Sequence, residues 1–159
     1  MAHCSSLMDC HNDRHNNKPS RPDAMTDLDD VPAPQGHLTL KLLANRQDTN
    51  LYGDIPGGWL VHHMDQAAEL AAGREARGRT ATVAIETMDF LCPVRVGSMV
   101  HIFTIVREIG HSSVKIDVEV WIRQPHERET SELHKVTEAR FVMVALDDKG
   151  RIRAVQQTA

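Results

Sequence analysis

The chain has 159 residues, a formal charge of −4, and 41% of its residues are hydrophobic. That is enough for one domain with its own core, and the acidic balance argues against an electrostatic nucleic-acid binder. The longest late apolar run, Phe141 to Leu146, is six residues, too short to span a bilayer as a helix.

Residues 1–35 hold four of the seven prolines and more acids than bases, so most of the net charge lies there. Their hydrophobic residues are sparse and unpatterned, which predicts a disordered leader. His3, Cys4, Cys10, His11 and His15 resemble metal ligands in type, but their spacing fits no closed zinc pattern. No metal and no cofactor are expected. The leader shows no secretion-like apolar run. With three cysteines in the chain, reduced thiols and a cytoplasmic address are expected.

From Gly36 the pattern changes. His37 to Leu42 alternates polar and apolar, the period of a half-buried strand. Asn45 to Pro56 is polar and reads as a loop. Gly57 to about Arg77 reads as a helix. Leu60, Met64, Ala67, Ala68 and Ala71 form its narrow small-residue face, which implies a close neighbour. Thr82 to Phe90 and Met99 to Ile109 read as strands, and Gly110-His111-Ser112 as a tight turn. Val114 to Ile122 is the cleanest alternating strand, Gln124 to His134 a loop, and Lys135 to Leu146 the last strand. One strand, one long helix and four further strands predict an α+β domain over 36–155, with a short tail at 156–159. The sheet is expected to be five-stranded and mainly antiparallel. Its unpaired edges call for self-association.

Gly53-Asp54-Ile55-Pro56-Gly57-Gly58-Trp59 carries the chemistry. Two glycines open the helix, so bare N–H groups face whatever lies at its N-terminus, an end that favours a developing oxyanion. Asp65 follows two turns later among apolar residues. A donor pair and an isolated acid are minimal equipment for hydrolysing an activated acyl group. Gly57 and Asp65 are eight residues apart, about 12 Å along a helix. One copy of the helix does not bring both to one reacting carbon, so the spacing argues for a site shared by two chains.

The segments Gly53 to Leu60, Met64-Asp65, Arg79 to Phe90, Pro93 to Gly97, Val118 to Trp121 and Lys135 to Ala139 together resemble hotdog-fold acyl-CoA thioesterases of the bacterial YciA-like type. The resemblance covers nearly everything from Gly36 to Val155. It implies a sheet wrapped around the helix, dimers joined edge to edge, and trimers of such dimers. Acyl-CoA is the implied substrate, with coenzyme A as part of it. Asp65 matches the catalytic acid, Gly57 and Gly58 the oxyanion-hole backbone, and Asn50 a position that orders the active-site loop or the attacking water. His111, Ser112, Ser113 and Lys135 are the candidate coenzyme A contacts. Pro56, His62-His63 and His111 depart from the pattern; an arginine is usual in place of His111.

Each of these residues also has a plainer reading. A helical Asp is most often solvated, Asp54 reads as a loop or cap residue, and the serines serve a turn. Lys135, Lys115 and Arg79 read equally as surface charge. His62-His63 lack the Glu and spacing of a helical zinc motif. Cys92 reads as a packing residue. A non-catalytic acyl-CoA-binding module is the competing function, and retention of Asp65 favours the enzyme over it. A hydratase on the same fold ranks last, since the usual motif is missing.

Overall fold

The computed structural model describes residues 32–155. The leader at 1–35, apart from its last four residues, lies outside the described residues. So do the tail at 156–159 and the Cys/His set of residues 3–15. The elements are β1 (His37–Leu43), a 3-10 turn (Arg46–Asp48), α1 (Gly57–Ala76), β2 (Thr80–Phe90), β3 (Met99–Ile109), β4 (Ser113–Arg123) and β5 (His134–Ala145). The 3-10 turn lies inside the segment expected to be plain loop.

The strands form one sheet in the order β1-β3-β4-β5-β2, and every adjacent pair is antiparallel. The sequence expectation was mainly antiparallel strands around one helix, and this is the architecture found. β4 sits centrally. Its Val114, Ile116, Val118, Val120 and Ile122 are fully buried against α1, as its alternation requires. The opposite face of the same strand carries Lys115, Asp117 and Glu119.

α1 lies close to the sheet because its inner face is small. Ala67, Ala68, Ala71, Ala72 and Ala76 are buried beside Leu60 and Met64. Each buried Ala gives little apolar area, but the stripe lets the backbone approach and lets Phe141 and Ile102 fill the space beneath. The helix ends at Arg77, in the left-handed conformation with φ 49°. Gly78 N–H then reaches back to Gly73 O at 3.1 Å. Arg153 ties this end down, with Nη2 2.8 Å from Ala76 O and Nε 2.9 Å from Leu146 O.

On the outer face, Asp117 sits between Arg107 at 2.6 Å and Arg140 at 2.7 Å. Trp121 Nε1 donates to Glu119 at 2.9 Å. His101 lies opposite Trp121 on β3 and is buried with Nδ1 unpartnered. Burial first, then the Lys41 and Arg123 charges, push its pKa down.

β1 and β2 are the sheet edges. β2 exposes Val83 (57%), Ile85 and Phe90, an apolar edge on which no further strand pairs among the described residues. Its pairing with β5 slips between Glu86 and Asp89, where Thr87 takes φ 34°. Among the described residues no helix is long and apolar enough to cross a membrane.

Candidate active site

α1 opens without a side-chain cap. Its N-cap residue is Pro56, whose side chain has no acceptor to offer, and the first turn contains no acid. The opening N–H groups thus lack the partner that Ser, Asp or Asn would give. Asp54, considered above as a cap, instead shapes the loop through its backbone. Trp59 N–H is bonded to Pro56 O at 3.0 Å, and Gly57 and Gly58 precede it.

The two glycines stand in different surroundings. A Cβ on Gly57 would lie 3.1 Å from the Phe90 ring, so the close approach to β2 favours glycine there. A Cβ on Gly58 would meet nothing within 4 Å. Packing does not demand glycine at that position; its bare backbone keeps the helix end open. A cleft of about 270 Å³ lies alongside, walled by Ile55, Leu60, Phe90, Cys92 and Val94. Cys92 is buried in that wall, with Sγ 3.6 Å from Lys135 O.

Asn50 organises the preceding loop. Its Oδ1 accepts from Tyr52 N–H at 2.9 Å and Asp54 N–H at 3.1 Å, while its own N–H donates to Asp54 O at 2.8 Å. One side chain thereby fixes the approach to the helix, an Asx-type turn.

Asp65 is half-buried on the side of α1 that faces β2. Thr82 Oγ1 donates to its Oδ1. The same hydroxyl lies 3.2 Å from Met143 Sδ, but it has one hydrogen, and the carboxylate is the stronger acceptor. This contact fixes the rotamer of Asp65 and commits one of its two oxygens. The sequence reading did not single out Thr82. Threonine in a strand is ordinary, and only the fold brings it to an acid seventeen residues away.

The neighbouring histidines do not join this pair. His63 Nδ1 meets Gln66 Oε1 at 3.0 Å and stands edge-on to Trp59, and His62 is exposed. Among the described residues no group of three His, Cys, Asp or Glu could hold a metal ion.

The four candidate coenzyme A contacts divide between two ends of the sheet. His111 and Ser112 lie in the β3–β4 turn, and Ser113 opens β4. Val155 N–H donates to His111 O at 2.7 Å, and Ala145 N–H to Ser112 O at 2.9 Å. Ser113 precedes Val114, which pairs with Met143, the residue paired with Thr82; this turn is therefore at the Asp65 end. Lys135 lies eight residues from Met143 along β5, about 26 Å away. It is on the outer face, 3.4 Å from Glu119, 2.5 Å from Glu138 and over the Trp121 ring. Burial works against its charge, yet the Glu138 and Glu119 carboxylates hold its pKa above the usual value. Within one chain the structure does not bring Lys135 to Asp65.

Comparison with known proteins follows the same lines. The family model of the thioesterase superfamily matches residues 52–129. The acyl-CoA thioester hydrolase YciA of Escherichia coli is 43% identical over 122 residues, covering 77% of this chain and 92% of that protein. The crystal structure of a hexameric broad-specificity acyl-coenzyme A thioesterase superposes with TM-score 0.75 at 40% identity, covering 79% of this chain and 85% of that one. An acyl-CoA hydrolase from Staphylococcus aureus, solved with butyryl coenzyme A and coenzyme A, superposes with TM-score 0.67 at 25% identity, covering 76% and 71%. Alanine variants of the Staphylococcus enzyme at one aspartate and one threonine have also been solved. Those two positions are seventeen residues apart, the interval from Asp65 to Thr82.

Proposed function

The chain belongs to the thioesterase superfamily, in the branch of the acyl-CoA thioester hydrolases, and on that premise we propose that it hydrolyses acyl-CoA with Asp65 as the acting carboxylate. The observation that carries this reading is the Thr82–Asp65 hydrogen bond, which holds a lone acid in place and leaves one of its oxygens for chemistry. Asp65 acts at the thioester carbonyl carbon, by deprotonating a water or by direct attack. The carbonyl oxygen takes up negative charge, and the Gly57 and Gly58 N–H groups receive it. The C–S bond then breaks. On the water route the thiolate takes the proton that Asp65 removed and leaves as coenzyme A beside the free acid; on direct attack it leaves an anhydride on Asp65, which a water then hydrolyses, giving the free acid and the proton that the thiolate takes up.

The two halves of this machinery come from different copies of the chain. Asp65 is anchored to Thr82, and Gly57 packs against Phe90. Thr82 and Phe90 flank Glu86 at equal distance on the free edge strand β2. Two β2 edges paired antiparallel about Glu86 set Thr82 of one copy opposite Phe90 of the other. The uncapped helix end of one chain then faces the acid of the next. This pairing also covers Val83 and Ile85. The solved relative noted above is hexameric, which suits an assembly built from such dimers.

The test is a series of acyl-CoAs of increasing chain length, with released coenzyme A followed by a thiol-reactive dye. Turnover that Asp65→Asn abolishes supports the reading. Tight binding of acyl-CoA with no thiol release would instead make the chain a binding module.

A further inference from the structure

Three basic side chains from three strands meet on the sheet face turned away from α1. Lys41 of β1 is paired directly across from His101 of β3. Arg123 of β4 is paired with Met99, two residues from His101 and on the same face. The loop after β4 folds back to them. Ser131 O accepts from Arg123 Nη2 at 3.4 Å, and the Glu129 carboxylate lies 3.3 Å from Arg123 Nη1 and 3.8 Å from Lys41 Nζ. One carboxylate touches both cations, and both cations act on His101, so the three basic groups share one neighbourhood.

This cluster differs from ordinary surface charge in two ways. His101 is 5% exposed and the Arg123 side chain 12%, yet His101 Nδ1 and Arg123 Nε are both buried without a hydrogen-bond partner among the described residues. A guanidinium nitrogen only donates, and a protonated imidazole donates from both of its nitrogens, so what both groups call for is an acceptor. Trp121, across from His101, cannot be that acceptor, because its Nε1 donates, and it donates to Glu119. The charges are also unbalanced. Among the described residues Glu129 is the one acid in contact with Lys41 and Arg123, and its side chain is 80% exposed. Its contacts are longer than those of Asp117 with Arg107 and Arg140 on the same face, at 2.6 and 2.7 Å.

We propose that Lys41, His101 and Arg123 form a binding site for a small oxyanion of the sulfate or phosphate type, and that Glu129 is the resident carboxylate this anion displaces. The anion accepts from Arg123 Nε and His101 Nδ1 and replaces the Glu129 carboxylate beside Lys41. The site lies on the opposite face of the sheet from α1 and toward β1, whereas Asp65 is held from β2 at the other edge. It is therefore independent of the acyl-CoA reading. In the resting protein burial, then Lys41 and Arg123, hold the proton off His101, against the Met99 carbonyl and Glu129. An anion beside the ring favours that proton, so affinity should rise as pH falls through the histidine range.

The test is calorimetric titration of the full chain with sodium sulfate at constant ionic strength, at about pH 6 and about pH 8. Sulfate keeps its charge across this range, so a pH effect belongs to the protein. Saturable binding is expected, tighter at the lower pH. Lys41→Gln should weaken it and Glu129→Gln should strengthen it, each by about threefold, the scale of one exposed ion pair. Both side chains are at the surface, and melting temperature checks that the variants are folded. His101→Gln should bind without the pH dependence. Should that variant not fold, the His101 ring proton resonance of the parent chain is followed instead, and it should move as sulfate is added. No saturable binding by the parent at the lower pH overturns the proposal. So does binding that Lys41→Gln and Glu129→Gln leave unchanged, or a His101 resonance that sulfate does not move.

Discussion

Thr82 holds Asp65 from the strand at the free edge of the sheet, so the geometry of the acid is set at the edge available for pairing with a second chain. Removing the acid and removing its holder should therefore have different effects. Asp65→Asn keeps the shape and removes the base, and turnover should fall by roughly 10²–10⁴. Thr82→Val leaves the carboxylate but frees its rotamer. It should lower kcat by about tenfold, with a stability loss of about 1 kcal/mol, the usual worth of one hydrogen bond. Steady-state kinetics on folded variants checks both. Full activity in Asp65→Asn would remove Asp65 from the mechanism.

The proposal that two chains share a site can be tested by mixing. Asp65→Asn, and a bulky substitution at Gly57 that crowds the Phe90 ring, should each be inactive alone. After subunit exchange a heterodimer has one site with both defects and one with neither. Activity should reappear, at up to about half per heterodimer if the sites act independently. Proven exchange without recovery would mean that each chain builds its own site.

The leader lacks any core pattern, so a chain starting at Val31 should keep the melting temperature and the activity of the full one. Differential scanning fluorimetry and the thiol-release assay check this. A large loss of either would show that residues before Val31 support the domain.

Asp117 gives the pH dependence. The hydrogen bond from Arg140 holds its carboxyl below the usual carboxylate range; burial opposes this, and Arg107 adds to the lowering. The folded pKa is depressed, so the stabilisation is present above the unfolded value of about 3.9 and is lost as pH falls through the folded value. Asp117→Asn should lower the melting temperature at neutral pH, and the gap should close at pH values below about 4. A gap that stays constant with pH would assign the effect to packing.

Much of the architecture was legible because period and punctuation carry it. The alternation of β4, the glycines opening α1 and the turn at Gly110 placed those elements within a residue or two of their observed bounds. The 3-10 turn at Arg46–Asp48 was missed because three polar residues in a polar loop have no period. The sequence singles out candidate site residues only where one residue type speaks for itself, as with Gly57, Gly58 and Asp65. Thr82 was not, since its role is a contact between helix and strand. The face that Lys135 takes was not readable for a related reason. A basic residue on a strand does not announce which face it takes, and β5 puts it among the Glu119 and Glu138 carboxylates on the side away from α1. His101 was also unreadable, because its burial depends on Trp121 from the neighbouring strand.

Pro56 has one more consequence. A helix begun by proline, with no acid in its first turn, leaves its opening amides to solvent until something else accepts from them. In the resting protein the Gly57 and Gly58 amide protons should be traded with deuterated solvent quickly, while those deeper in α1, such as Ala68, are retained. A bound acyl group whose oxygen sits on the helix end would slow that trade at the first turn. Isotope uptake would then report occupancy of the site even in a protein disabled for turnover.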